Sequence, residues 1–287
     1  MLQILGLVFL IVLVAIILIG VTIYVNYKGD KQIQVVQNSN NFPVIAAENL
    51  KITVVYDNNT FKDGLETAWG FSCIIRGTVK TILFDTGGDG SILLANMQKL
   101  GISPEETDLI MISHIHNDHV GGLSSFLKIN PEVTIYIPAS FPASFKKDIS
   151  EYGARTIDVH EPVEICEGIY STGELGTQII EQSLIILTEK GMVLITGCAH
   201  PGIVKIVNKA KDLFKKDVFL AVGGFHLSKE RESEISNIVT DIKKAGVRHI
   251  GPCHCSGDAA RQLFSEEFDK NYIDVGVGRV INPGDLR

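Results

Sequence analysis

Ser113-His114-Ile115-His116-Asn117-Asp118-His119-Val120-Gly121-Gly122-Leu123 is the stretch from which the fold is read. Three of the eight histidines and one carboxylate fall within six consecutive positions, directly after the apolar run Leu109-Ile110-Met111-Ile112. That run has the length and composition of a buried strand. Residues two apart at the end of an extended segment point the same way, so His114 and His116 can grip one metal ion. Asp118 and His119 lie in the following turn, where backbone curvature swings them toward a second ion. Gly121 and Gly122 let the chain leave close to the metals and start a helix. A lone histidine in a polar loop is ordinarily a surface residue, but H-x-H-x-D-H between a strand and two glycines points to a metal site. Imidazole with carboxylate suits zinc first, with iron or manganese as alternatives.

The same stretch resembles the signature of the metallo-β-lactamase fold superfamily, whose members are mostly dinuclear metallohydrolases. The resemblance implies a four-layer αββα sandwich with two divalent metal ions at one edge of the sheets, between strand ends.

Composition narrows the function classes. With 287 residues and 45% hydrophobic content, the chain has ample material for a core. A net charge of -7, from 26 basic and 33 acidic residues, gives no electrostatic footprint for nucleic acid, so a small-molecule substrate is expected. Five cysteines are an odd number, which suits metal proximity or a reducing compartment better than a disulfide framework.

Leu2 to Val25 is almost wholly apolar, long enough at about 1.5 Å per residue to cover a hydrocarbon layer of roughly 30 Å. The block is longer than a secretory h-region, no basic residue precedes it and no small-x-small site follows closely. The expectation is one N-terminal transmembrane helix over residues 1–27, a membrane localisation as a single-pass anchor, and a polar linker over 28–48. Lys28 and Lys31 place the catalytic domain, residues 49–287, on the cytoplasmic side.

Within that domain, early β-rich runs give way to strand-helix alternation. Lys51 to Tyr56, Gly70 to Arg76 and Thr81 to Phe84 read as strands, and Ser91 to Leu100 as a helix. Later strands are expected at Val133 to Ile137, Ser183 to Thr188, Met192 to Thr196, Val218 to Val222, Val247 to Gly251 and Tyr272 to Val275. Helices are expected over 202–213, 229–244 and 258–268. Two sheets with helices outside fit this α/β pattern.

Three more histidines follow predicted strands: His200 in Gly197-Cys198-Ala199-His200, His226 in Gly223-Gly224-Phe225-His226, and His254 in Cys253-His254-Cys255. Two ions need more ligands than the first cluster supplies. The assignment is His114, His116 and His200 around one ion, and Asp118, His119 and His254 around the other. His226 then stands near the open position as a proton donor or substrate-orienting group, with Asp118 beside it as the other catalytic residue. Exchange of roles among His200, His226 and Glu181 stays open.

Asp85 has the position of the resembled superfamily's strand-ending aspartate, which implies that it accepts hydrogen bonds holding the histidine turn. An Asx-type turn before Gly87-Gly88 explains it equally well. Cys198 stands where the superfamily often has an acidic bridging ligand. Either it coordinates as thiolate or His200 replaces that ligand, and His200 is preferred. Alternation in an extended strand turns Cys253 and Cys255 away from the side His254 faces, making both packing residues. His160 and His249 read as structural.

Together, Asn117 to Leu123, Gly197 to Ile203, Gly223 to Leu227 and Cys253-His254-Cys255 look like the branch that includes the archaeal dihydropterin-ribofuranosylaminobenzene phosphate synthases. The expected function is a dinuclear metal-dependent hydrolase that uses a metal-generated hydroxide on an ester, phosphoester or diphosphate. The alternatives are a pterin-diphosphate-dependent transferase, which that branch implies, and a membrane-tethered metal-binding sensor.

Overall fold

The structure, a computed structural model, describes residues 42–287. The anchor expected over 1–27 and the first part of the expected linker lie outside them. Among the described residues no helix is long and apolar enough to cross a membrane. The longest of them, Glu232–Lys244, has 13 residues against the roughly 20 that a span requires. The expected membrane localisation is corrected accordingly, since no described element provides a span. The end of the expected linker is packed on the domain: Phe42 meets the rings of Tyr170 and Phe214, and Ala47 is buried.

Among the described residues, thirteen strands form two sheets. The first sheet contains β1 (Lys51–Tyr56), β2 (Ser72–Arg76), β3 (Ile82–Phe84), β4 (Leu109–Met111), β5 (Thr134–Pro138), β6 (Arg155–Val159) and, after the others in sequence, β13 (Val280–Ile281). Its order is β13-β1-β2-β3-β4-β5-β6, and from β3 to β6 all neighbours are parallel. The second sheet contains β7 (Val163–Cys166), β8 (Ile169–Ser171), β9 (Leu184–Thr188), β10 (Gly191–Thr196), β11 (Val218–Gly224) and β12 (His249–Cys253), in order β12-β11-β10-β9-β8-β7. Here β10, β11 and β12 run parallel. Tyr272, expected within a final strand, makes a single bridge to Ile250 instead, and the last strand pairs with β1.

Strand alternation builds the layers. In β2, Cys73 and Ile75 face the second sheet and join Ile186, Val193, Ile195 and Val222, while Ile74 faces outward. The outer face of the first sheet is covered by α1 (Gly90–Lys99), α2 (Asn117–Val120), α3 (Leu123–Leu127) and α4 (Ala143–Glu151), through residues such as Leu93, Leu123, Phe126 and Ile149. The outer face of the second carries α5 (Ile203–Phe214), α6 (Glu232–Lys244) and α7 (Asp258–Phe268), through Ile206, Ile235 and Phe264. The result is the α/β fold of two packed sheets with helices on both sides. Sequence periodicity missed α4, where Ile149 alone is fully buried and the apolar stripe is thin.

The candidate metal centre

Parallel strands deliver their following loops to a common edge, and each loop at this edge carries a polar residue. After β3 comes Asp85, after β4 come His114 to His119, after β10 come Cys198 and His200, after β11 comes His226, and after β12 comes His254. Asp85, Ala199, His226 and His254 all adopt positive φ, between 54° and 58° for the first three and 49° for His254. Non-glycine residues rarely hold that conformation unless their surroundings impose it. Here the sharp turns aim consecutive side chains into one space.

Two groups of potential ligands result, each with its ligating atoms within 4.8 Å of one another. His114, His116 and His200 form one; Asp118, His119, Cys198 and His254 form the other. The structure thus brings together all six residues assigned as ligands, in the expected partition, and adds Cys198 to the second group. Its Sγ lies 3.2 Å from His119 Nε2. Cys198, His200 and His226 make a third, overlapping group. Both main groups take members from both sheets.

Four of the rings are held by their other nitrogen, whereas His116 Nδ1 lies 3.1 Å from His114 Nε2, inside the group. His119 Nδ1 donates to Asp85 Oδ2 at 2.6 Å, and Ser113 donates to the same carboxylate through its backbone N–H and its hydroxyl, both at 2.7 Å. His114 Nδ1 lies 2.9 Å from that hydroxyl, which relays its hydrogen bond to Asp85. His200 Nδ1 lies 2.9 Å from Glu181 Oε2. His254 Nδ1 lies 2.9 Å from Asn58 Oδ1, while Asn58 Nδ2 donates to the His254 carbonyl at 3.2 Å. Such outer partners fix the tautomer and turn Nε2 inward as a lone-pair donor. Asp85 thus accepts hydrogen bonds from Ser113 and His119, at the two ends of the histidine turn. The Glu181 carboxylate meets the His200 ring at Nδ1, and Glu181 belongs to none of the three ligand groups.

The electrostatics follow from burial. Burial holds His114 and His119 down to about 3, so both rings are neutral, the form that binds metal. Burial also pushes Asp85 up to about 7, against the opposing hydrogen bonds from Ser113. Burial alone would raise Glu181 too, but His200 and the backbone N–H groups of residues 198, 199 and 200 converge on its carboxylate and hold it at about 2. Asp118 stays well below the usual carboxylate range despite partial burial, because His254 and His119 flank it.

The donor set can also be tested for fit to a metal. His254 Nε2 is fully buried, makes no hydrogen bond, and sits 3.2 Å from Asp118 Oδ2. An orphaned buried nitrogen costs free energy unless something accepts its lone pair. A cation shared with Asp118, His119 and Cys198 would do so, and in that respect these residues fit a metal ion.

One expectation is reversed here. Cys253 is buried in the core, but Cys255 Sγ lies 3.3 Å from Cys198 Sγ and bonds with His226. The left-handed turn at His254 starts a short 3₁₀ segment, His254–Ser256, so strand alternation stops before Cys255 and the side chain re-enters the site. Asn58 was also missed, although Asp57-Asn58-Asn59 directly after β1 shows the same pattern of polar residues at a strand end. His226 is exposed, its ring centroid 4.5 Å from that of His200. Both histidines line a cavity of about 560 Å³ whose other walls include Ile203, Phe225, Leu227 and Ile238.

Comparison with known proteins agrees with this architecture. The profile of the metallo-beta-lactamase superfamily matches residues 70–207, which include the histidine cluster, Cys198 and His200. Over 284 aligned positions the chain is 31% identical to 7,8-dihydropterin-6-methyl-4-(beta-D-ribofuranosyl)-aminobenzene-5'-phosphate synthase of Methanocaldococcus jannaschii, covering 82% of this chain and 97% of that protein. The crystal structure of Tm1679, a metal-dependent hydrolase of the beta-lactamase superfamily, superposes with a TM-score of 0.69 at 28% identity, covering 81% of this chain and 98% of the other. The metallo-beta-lactamase fold protein YhfI from Bacillus subtilis superposes at 0.62 with 15% identity, covering 81% and 98%, a likeness of fold. With the family profile lying over the histidine turn and the synthase aligned almost end to end, the chain belongs to the metallo-beta-lactamase superfamily.

Proposed function

We propose that the protein is a dinuclear metal-dependent hydrolase that cleaves an ester, phosphoester or diphosphate bond of a small molecule. The observation that carries this reading is the inward set of His114, His119, His200 and His254 nitrogens, each fixed by an outer partner and facing Asp118 and Cys198. His114, His116 and His200 would hold one ion, and Asp118, His119, Cys198 and His254 the other, with zinc the first choice for nitrogen, sulfur and carboxylate donors together. Bound there, two divalent ions supply Lewis-acid stabilisation of developing negative charge and lower the pKa of water toward neutrality.

The chain's own residues do the rest. Asp118 is ionised and partly exposed, so its carboxylate can accept a hydrogen bond from an attacking water and orient it. His226, exposed at the cavity wall, is raised above the usual imidazole value by its bond with Cys255, which suits donation of a proton to a leaving group or a hydrogen bond to a substrate anion. The apolar cavity beside it takes the organic part of a small molecule.

A second reading is favoured by the relative from Methanocaldococcus jannaschii, whose name is that of a synthase. In a transferase version, an arylamine would take the place of water as the attacking group, with a pterin diphosphate as donor. The test is metal analysis and turnover of bis(4-nitrophenyl) phosphate, 4-nitrophenyl phosphate and 4-nitrophenyl acetate by wild type, His116→Ala and Asp118→Ala. Hydrolysis that tracks metal content supports the reading, and full activity in a metal-free variant ends it. Product analysis with a pterin diphosphate and an aminobenzoate-type amine separates transfer from hydrolysis.

A further inference from the structure

Trp69 is the single tryptophan of the chain and is 55% exposed. Its backbone is nevertheless tightly placed. Gly70 has a φ of 144°, and a Cβ there would lie 2.5 Å from the Asp118 carbonyl oxygen and 2.9 Å from the Gly88 nitrogen. A Cβ on Gly88 would in turn lie 3.0 Å from the Trp69 carbonyl. Phe71, fully buried, donates its N–H to the Asp118 carbonyl at 3.3 Å. The segment that carries the indole is thus fitted directly against the turn that carries Asp118. The indole itself is tilted by 55° against the His254 ring, with 4.9 Å between centroids.

Scattered exposed apolar side chains need no explanation. This one is held beside a candidate metal ligand, with half its surface open. From it the imidazoles follow in a row: His254 to His119 is 5.0 Å, His119 to His114 is 4.2 Å, His114 to His200 is 4.6 Å and His200 to His226 is 4.5 Å, centroid to centroid. The apolar cavity adjoins the far end of that row. A molecule bound at the His254 end of the row would have Trp69 beside it.

We propose that Trp69 is a stacking platform for a planar aromatic or heteroaromatic ring of the substrate, and that it makes the site select ring-bearing ligands over aliphatic ones. The proposal rests on the hydrolase reading for what is done to that ligand, but not for how it binds. An indole face offers an aromatic ring quadrupole-matched offset stacking as well as contact area, whereas an aliphatic group gains area alone.

Because no other tryptophan is present, indole emission reports on this position directly. The probes are phenyl phosphate and cyclohexyl phosphate, equal in charge and similar in size, titrated into metal-loaded protein with emission, calorimetry and initial rates followed in parallel. Phenyl phosphate is expected to change the indole emission and to bind about three- to ten-fold tighter than cyclohexyl phosphate. Trp69→Leu is expected to bring the two affinities together, Trp69→Phe to keep most of the preference, and both variants to hold metal like the wild type. Silent emission at saturating phenyl phosphate, an intact preference in Trp69→Leu, or loss of metal from that variant would each overturn the proposal, the last by making Trp69 a cover for His254. Ring preference without turnover of either phosphate supports the platform, and the hydrolase reading then stands or falls on the nitrophenyl substrates. Turnover of both with equal affinity supports hydrolysis and ends the platform.

Discussion

Asn58 and His254, 196 positions apart in the chain, hold each other at two points: the Asn58 amide oxygen accepts from His254 Nδ1, and its nitrogen donates to the His254 carbonyl. The pair links the loop after β1 to the loop after β12 and leaves His254 Nε2 as the inward nitrogen. Asn58→Ala removes both bonds without touching a ligand. Metal affinity is expected to fall about 10- to 100-fold at the Asp118, His119, Cys198 and His254 group. Competition against a chromophoric chelator measures it, and an unchanged affinity would separate tautomer control from binding.

Gly197 lies against the hydrogen-bond relay of the other ligand group. A Cβ there would collide with the Ser113 hydroxyl and lie 3.0 Å from Asp85 Oδ2, both fully buried. Gly197→Ala is therefore expected to displace Ser113, break the links to Asp85 and His114, and cost about 2 kcal/mol of stability, within the range for overpacking a dense site. Chemical denaturation of the metal-free protein reads this cost without interference from ligand binding.

Cys198 has a spectroscopic signature of its own. Cobalt-loaded wild type is expected to show a near-ultraviolet thiolate-to-metal charge-transfer band, which Cys198→Ser abolishes while Cys255→Ser retains it. The distinction matters because the two sulfurs are only 3.3 Å apart, and Cys198 alone belongs to a ligand group with Asp118. A band that follows Cys255 would reverse their roles.

Away from the site, His160 Nδ1 lies 2.6 Å from Glu174 Oε2, and this bond raises the imidazole above its usual value. A raised folded-state pKa means that the pair's contribution is fully present below the unfolded imidazole value, about 6.5, and is lost as pH rises through the higher folded value. NMR titration is expected to find His160 above its reference value in wild type and back at it in Glu174→Gln. Its exposure keeps the contribution small.

The fold and the meeting of the histidine loops at one edge were legible because both rest on short-range pattern. Leu109 to Ile112 followed by H-x-H-x-D-H carries strand, turn and ligands within fifteen residues, and the later strands each end in a glycine-containing loop with a histidine. What was not legible depends on backbone conformation or on distant partners. Cys255 was placed by strand alternation, which fails because His254 turns left-handed. Asn58 has no local feature that names His254 as its partner, and Glu181 is defined by three backbone N–H groups that arrive only when residues 198 to 200 fold over it. Trp69 looks in the sequence like any aromatic next to a glycine. Its placement depends on Gly70 fitting under the Asp118 carbonyl.

Both ligand groups recruit side chains from each of the two sheets: His114 and His116 with His200, and Asp118 and His119 with Cys198 and His254. A cation seated in either group would therefore act as a rivet across the sandwich, coupling chemistry to cohesion. Chelation should then do more than silence turnover: it should let the halves breathe, with faster amide exchange in β4 and β10 alike and a lower melting temperature for the whole body.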